Sequence, residues 1–249
     1  MTSVPEKKLT DNVALVTGAT RGIGKAVAAA YAREGARVFI CARNEQEVAA
    51  TVRELRRDIG DAEVDGSAGD VGNESDACRI VERVIKKFRT IHTLVNNASL
   101  LGPRMALVEY PVAQWNEVIR VSLNGVFFVT QPVVKRMIAQ HQGSVINVSS
   151  GVGRVGRAHW GAYAVSKFGV EGLTQVLADE VKEFGVRVNS VNPGPTRTEM
   201  RAEAYPQEDP LTLPTPEQIT AIFVYLASAE SVDVTGQSLE ARDWSMHVN

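Results

Sequence analysis

The segment Tyr163-Ala164-Val165-Ser166-Lys167 sets a phenol and an ammonium four residues apart, which on a helix places them side by side on one face. A free tyrosine has a pKa near 10 and serves poorly as an acid or base at neutral pH. A neighbouring cation stabilises the phenolate and draws that pKa toward the working range. Such pairs are also common on ordinary helix surfaces, so the spacing needs company. Ser149 and Ser150 supply it, because they close an apolar β-branched run just upstream. A hydroxyl at that edge can polarise a carbonyl oxygen in concert with the tyrosine. Plain strand-end capping is the role expected for the other serine of the two.

A second constellation lies near the start of the chain. Thr17-Gly18-Ala19-Thr20-Arg21-Gly22-Ile23-Gly24 joins an apolar strand to an alanine-rich helix. Gly18, Gly22 and Gly24 permit positive φ and close backbone approach, and the helix N-terminus behind them offers free N–H groups to a pyrophosphate. A tight turn with no ligand is the bland alternative. The position directly after a buried strand favours a dinucleotide site. An NAD site usually has a carboxylate at the end of the second strand to hold the ribose 2′-hydroxyl. Here that place reads Cys41-Ala42-Arg43. Arg43, with Arg21 in the turn, suits a 2′-phosphate instead, so NADP(H) is the expected cofactor.

The elements that must position these groups alternate along the chain. Strands are predicted at 13–17, 37–42, 63–68, 93–96, 144–149, 186–191 and 237–240. Helices are predicted at 25–34, 45–59, 74–88, 112–138, 163–184 and 217–227, with an offset at Pro132. Six of the ten prolines fall between Pro193 and Pro216, so the stretch 195–216 reads as an irregular substrate loop with little helix. Strands separated by helical crossovers imply α/β architecture: one doubly wound parallel sheet of about seven strands, a Rossmann fold, in a single domain over 1–249. Ligands in such sheets sit at the carboxyl ends of the strands.

Composition narrows the classes. With 44% apolar and 22% charged residues, the 249-residue chain is ordinary for a globular protein. A net charge of −2 gives no basic field for nucleic acid. No run approaches the roughly 18 apolar residues of a membrane span, and residues 1–12 carry no secretory pattern. Cys41 and Cys78 make no disulfide framework and point to a cytoplasmic setting, both as buried small side chains. The histidines at 92, 141, 159 and 247 lack metal-ligand spacing, so no metal is expected. Trp115, Phe127 and Phe128 read as core packing, and the charge run 53–58 as a solvated helix face.

Taken together these residues resemble the short-chain dehydrogenases/reductases, from Val13 to about Leu239. Thr17–Gly24 matches that family's T-G-x-x-x-G-x-G turn, with Gly18, Thr20, Arg21, Gly22, Ile23 and Gly24 as cofactor contacts. Asp70-Val71 looks like its adenine-contacting pair. Asn96-Asn97-Ala98-Ser99 is similar to its N-N-A-G motif, with Asn97 and Ala98 beside the cofactor. Asn192-Pro193-Gly194, Thr196 and Thr198 resemble the stretch at the nicotinamide carboxamide. The resemblance implies that Ser150 and Tyr163 hydrogen-bond a substrate carbonyl, that Tyr163 donates the proton, and that Lys167 holds the nicotinamide ribose. It also implies a homodimer or homotetramer built on the helices near 112 and 163. The stretch 153–163 and the loop 200–206 are similar to a bacterial branch of YciK-like oxidoreductases.

Three departures stand out. The family's V-N-L-x-G-x-F stretch is Val121-Ser122-Leu123-Asn124-Gly125-Val126-Phe127 here, so Ser122 takes the place of a fourth catalytic residue, an asparagine that anchors a proton-relay water. Either Ser122 holds a rearranged water or the relay is impaired, and Asn124 is not a substitute. Ser99 replaces a glycine, and the tail lacks the usual D-G-G. Arg154, Arg157, His159 and Trp160 read as a surface loop, with a place at the substrate mouth as the alternative. The expected activity is NADP(H)-dependent reduction of a ketone or 3-oxoacyl compound. The alternatives are a 3-oxoacyl-carrier-protein reductase specifically, or a low-turnover nucleotide-binding sensor.

Overall fold

The computed structural model describes residues 7–244; the start of the 1–12 stretch and His247 lie outside the described residues. The order is β1 (Val13–Thr17), α1 (Gly22–Arg33), β2 (Arg37–Ala42), α2 (Glu45–Ile59), β3 (Val64–Ala68), α3 (Glu74–Phe88), β4 (Thr93–Asn96), α4 (Val112–Ile119), α5 (Gly125–Ala139), β5 (Gly143–Val148), α6 (Gly161–Val181), β6 (Val186–Asn192), α7 (Glu199–Ala204), α8 (Ala221–Ala227), β7 (Ser238–Glu240) and α9 (Ala241–Trp244). The seven strands form one sheet in the order β3-β2-β1-β4-β5-β6-β7, and every pairing is parallel. The order reverses between β1 and β4, which is where a doubly wound sheet opens its crevice.

The sheet is apolar on both faces because helices cover both. One core packs Val27 and Ala28 of α1, Val48 of α2 and Ile222 and Phe223 of α8 against Ala14, Val16 and Val38. The other packs Ile80 and Val84 of α3, Val129 and Val133 of α5 and Ala178 of α6 against Val13, Leu15 and Leu94. A buried polar chain locks the catalytic half. Asn96 Nδ2 donates to Asn147 Oδ1 at 2.8 Å and to Thr130 Oγ1 at 2.8 Å, and Asn147 Nδ2 donates to Thr174 Oγ1 at 2.9 Å. These bonds fix β4, β5, α5 and α6 to one another, which a purely apolar contact would leave free to slide.

Several expectations are corrected. Helix α1 begins at Gly22, because the glycines themselves form its first turn. The region 112–138 is interrupted: Arg120–Asn124 is π-helical, upstream of Pro132, which sits inside α5. The loop 195–216 holds the six-residue α7, whose first turn is capped by the Thr198 side chain accepting from Arg201 N, and a 3₁₀ turn at Pro210–Thr212. Composition counted its prolines but not that cap. Phe127 is 47% exposed on α5 rather than in the core, and Cys78 is only partly buried. Among the described residues no helix is long and apolar enough to cross a membrane.

Candidate active site

The carboxyl ends of the strands open into a cleft of about 1580 Å³ that runs from the glycine turn to α7. At its nucleotide end, Gly18 and Gly22 adopt φ of +64° and +54°. A Cβ on Gly18 would stand 2.8 Å from Ala98 Cα, and one on Gly24 would collide with Asn97 Nδ2. Asn97 is the brace of this turn, since its Nδ2 donates to the carbonyls of Thr17 and Gly18, both at 2.9 Å. No side chain caps the N-terminus of α1, so its first N–H groups face the cleft.

Gly18, Thr20, Arg21, Gly22, Ile23, Arg43, Asp70, Val71, Asn97, Ala98, Pro193, Gly194, Thr196 and Thr198 all line this one cleft. Gly24 does not; it is buried behind the turn as packing. The Asp70 carboxylate is already engaged, accepting from Gly72 N at 2.9 Å and pairing with Arg120 at 2.8 Å. Arg21 pairs with Glu199 of α7 at 2.7 Å, with both side chains mostly in solvent. Arg43 is exposed at the rim.

At the other end stand the catalytic candidates. Ser150 and Tyr163 line the same end of the cleft, the serine hydroxyl close enough to the phenol to pull its pKa down. Lys167 follows one turn along α6, its Nζ 5.5 Å from the Tyr163 ring centroid and donating to Val148 O at 2.7 Å. Both are buried, at 8% and 3% exposure. Burial pushes the Tyr163 phenol up to about 12 against the pull of the Ser150 hydroxyl, and burial pushes Lys167 down to about 8 against the pull of Glu171. Desolvation dominates in the cofactor-free cleft, and the phenol stays a protonated donor at neutral pH.

Ser122 lies elsewhere than its assigned role requires. It is wholly buried inside the π-helical segment and does not line the cleft. Its Oγ accepts from Leu100 N at 2.9 Å and from Ser99 Oγ at 3.0 Å, and donates to Leu100 O at 3.3 Å. It fastens the segment after β4, and Ser99 is its partner rather than an obstruction.

The substrate end is walled by Trp160, Tyr205, Leu100, Leu101, Met200 and Val155. Trp160 lies 5.8 Å from the Tyr163 ring and 6.0 Å from Tyr205. The Arg104 guanidinium lies over both aromatic rings, 4.5 Å from Trp160 and 4.8 Å from Tyr205, and donates to Ala204 O. This clamp escaped the sequence reading, because nothing local links residue 104 to 160 and 205. Arg154, Arg157 and Trp160 line the cleft, which favours the substrate-mouth alternative over a plain surface loop; exposed His159 does not line it. Glu171 and Glu240 were also missed. Glu171 alone had a signal, the third step of a four-residue ladder with Tyr163 and Lys167.

A nucleotide-type glycine turn and a buried tyrosine–lysine pair sharing one crevice of a doubly wound parallel sheet define a Rossmann-fold protein. Residues 12–209 match the family model described as short chain dehydrogenase. The chain is 38% identical over 235 residues to the Escherichia coli K12 protein "Uncharacterized oxidoreductase YciK", covering 94% of this chain and 93% of that one. It is also 38% identical to the 3-oxoacyl-[acyl-carrier-protein] reductase FabG of Thermotoga maritima, covering 92% and 96%. A short chain dehydrogenase structure from Escherichia coli CFT073, complexed with NADPH, superposes with a TM-score of 0.91 at 37% identity, covering 96% of this chain and 100% of that one. The chain belongs to the short-chain dehydrogenase family.

Proposed function

We propose that this protein is an NADP(H)-dependent reductase of ketones or 3-oxoacyl compounds. The observation that carries the reading is that Ser150, Tyr163 and Lys167, the last buried one turn beyond the tyrosine, line the same cleft as the glycine turn. The cleft fits the cofactor. Gly18, Gly22 and Gly194 hold positive φ, a Cβ at Gly194 would meet only open space, and the end of β2 carries Arg43 instead of a carboxylate. The NADPH complex of the related structure supports the same choice. Arg43 and Arg21 would hold the 2′-phosphate, Asp70 and Val71 the adenine, and Thr196 and Thr198 the carboxamide end. Lys167 would hold the nicotinamide ribose.

The bound nicotinamide supplies the hydride that reduces the carbonyl carbon. Ser150 and Tyr163 donate hydrogen bonds to the carbonyl oxygen where negative charge grows, and the Tyr163 phenol gives up its proton to that oxygen. A phenol at about 12 is protonated at neutral pH, as reduction requires. Lys167, as a cation, stabilises the tyrosinate left behind. The Trp160 and Tyr205 wall excludes water from one side of the reacting atoms. A 3-oxoacyl thioester is the narrower reading, supported by the FabG relative and by Arg157 beside the cleft mouth.

We also propose a homodimer or homotetramer, with a cytoplasmic setting. Val165, Phe168 and Val176 leave an exposed apolar stripe on α6, open space lies over Gly172 within it, and Phe127 of α5 is exposed as well. Titration with NADPH and NADH, followed by nicotinamide fluorescence, tests the cofactor reading. Binding of NADPH at least about tenfold tighter is expected, a difference near 1.4 kcal/mol. Equal affinities would overturn the arginine clamp. Absence of turnover on a diketone and on an acetoacetyl thioester would leave the sensor reading instead.

A further inference from the structure

Glu171 is a carboxylate with a crowd of donors. It sits on α6 one turn beyond Lys167, only 7% exposed. Its Oε1 accepts from Ser149 Oγ at 2.5 Å, at the end of β5, and from Arg154 Nε at 3.4 Å. Its Oε2 accepts from Ser190 Oγ of β6 at 2.7 Å and from Ser238 Oγ of β7 at 2.7 Å. Arg154 in turn donates to Glu240 Oε1 at 2.5 Å, and Asn192 Nδ2 donates to both Glu240 oxygens at 3.1 and 2.9 Å. A buried carboxylate with every donor in place stays ionised, whereas a merely convenient one would take up a proton. Burial pulls Glu171 up, but the three hydroxyls and Arg154 outweigh it and hold the group below the ordinary carboxylate range.

We infer that Glu171 is a positioning residue for Lys167: its ionised carboxylate, held by three strand-end serines and Arg154, keeps the buried ammonium charged. The inference rests on the reading of Lys167 as the group that holds the nicotinamide ribose. An ammonium this deep loses its hydration and sheds its proton unless a negative charge stands nearby. Val148 O supplies a hydrogen bond but no charge. The charged and titratable groups around Lys167 are few. Tyr163 and Glu171 share its helix, Arg154 comes from the turn after β5, and Glu240 from β7. The π-helical segment packs Leu123 over Gly169, and its one cation, Arg120, is spent on Asp70 and Glu117. Glu171 is the nearest anion along Lys167's own helix, and Arg154 helps to keep it ionised. Removing the charge of Glu171 must therefore act on Lys167.

NADPH affinity measured by nicotinamide fluorescence from pH 6 to 9.5 tests this without needing turnover. In the wild-type protein the affinity falls above a break as Lys167 loses its proton, and the 2′-phosphate titrates alike in every variant. Glu171→Gln should move the break to lower pH by about one unit or more. Glu171→Asp, which keeps the charge, should restore most of the wild-type break. A Glu171→Gln protein that folds and binds more weakly at every pH with the break unmoved would overturn the inference, leaving Glu171 a structural tie. If Glu171→Gln does not fold, Glu171→Ser, which also removes the charge, takes its place, and an unmoved break there overturns the inference equally. A wild-type protein that binds no NADPH would instead overturn the reading of the cleft, and this inference with it.

Discussion

Ser149 and Ser150 are adjacent in the chain and serve different masters. The hydroxyl of Ser149, 1% exposed, donates to buried Glu171 at 2.5 Å, while Ser150 lines the cleft with Tyr163. The alternation of side chains where a strand ends divides them. Ser150→Ala should therefore lower kcat by about 10²-fold or more, with thermal stability nearly unchanged. Ser149→Ala should cost about 1–3 kcal/mol of stability by stripping a donor from a buried carboxylate. Steady-state rates and urea unfolding of both variants check the division, and equal effects on rate and stability would refute it.

Tyr163→Phe removes the proton donor but leaves the ring that packs against Trp160. The rate of carbonyl reduction should fall by about 10³-fold while NADPH affinity changes by less than about threefold. Activity retained within tenfold would assign the proton to another group.

Lys167 makes the ligand-free fold sensitive to alkali in an unusual direction. Burial holds its ammonium near 8 in the folded chain, against 10.5 as the ordinary value. Below pH 8 both folded and unfolded chains carry the proton, and the cost of burying it is full. Between about 8 and 10.5 the unfolded chain binds a proton that the folded chain releases, so stability rises with pH. The gain is on the order of 3 kcal/mol, complete above the unfolded value and lost as pH falls through 8. Urea unfolding of wild type and Lys167→Met across that window should show their difference shifting toward wild type as pH rises. A constant difference would contradict the assignment.

Arg21 and Arg43 should not contribute equally to phosphate binding. Arg21 starts from an ion pair with Glu199, and Arg43 lies exposed at the rim. Arg43→Ala should weaken NADPH binding by about 10- to 100-fold and leave NADH nearly unaffected. Arg21→Ala should cost less, and Glu199→Gln should tighten NADPH by up to about fivefold, since an exposed pair is worth 1 kcal/mol or less. Fluorescence titrations rank the three.

Ser122→Ala should act on stability before rate. It leaves the partly buried Leu100 N–H without its acceptor, at a cost of about 1 kcal/mol. Ser122→Asn places a longer side chain in a wholly buried site already bonded to Leu100 and Ser99, so a gain in rate is not expected. A large gain would restore the impaired-relay reading.

What was legible in the residues is what is written locally. The strands announce themselves by apolar runs, and the glycine turn by its place between β1 and α1. The pairing of Tyr163 with Lys167 needs only helical spacing, and Ser150 only a strand end. The Arg104 clamp, the Glu171 shell and the Arg154–Glu240 pair join residues far apart in sequence, and polar partners of that kind leave no period to read. The π-helical segment hid for another reason. Val121 to Phe127 looks like unbroken helix, and only the backbone bond from Gly125 N to Arg120 O, five residues back, reveals the wider turn. Burial, too, is a property of the whole fold, so the upward push on Tyr163 could not be judged from its neighbour alone.

The shell around Glu171 is closed by Ser238, and Arg154 is met by Glu240, both on β7. A ribosome therefore delivers these components of the centre after every other strand of the sheet. The central strands and the glycine turn can assemble while translation continues, but the buried carboxylate waits for β7 with one donor missing. Loss of β7, by a frameshift or by proteolysis, would thus leave most of the hydrophobic core in place and strike the catalytic helix from behind.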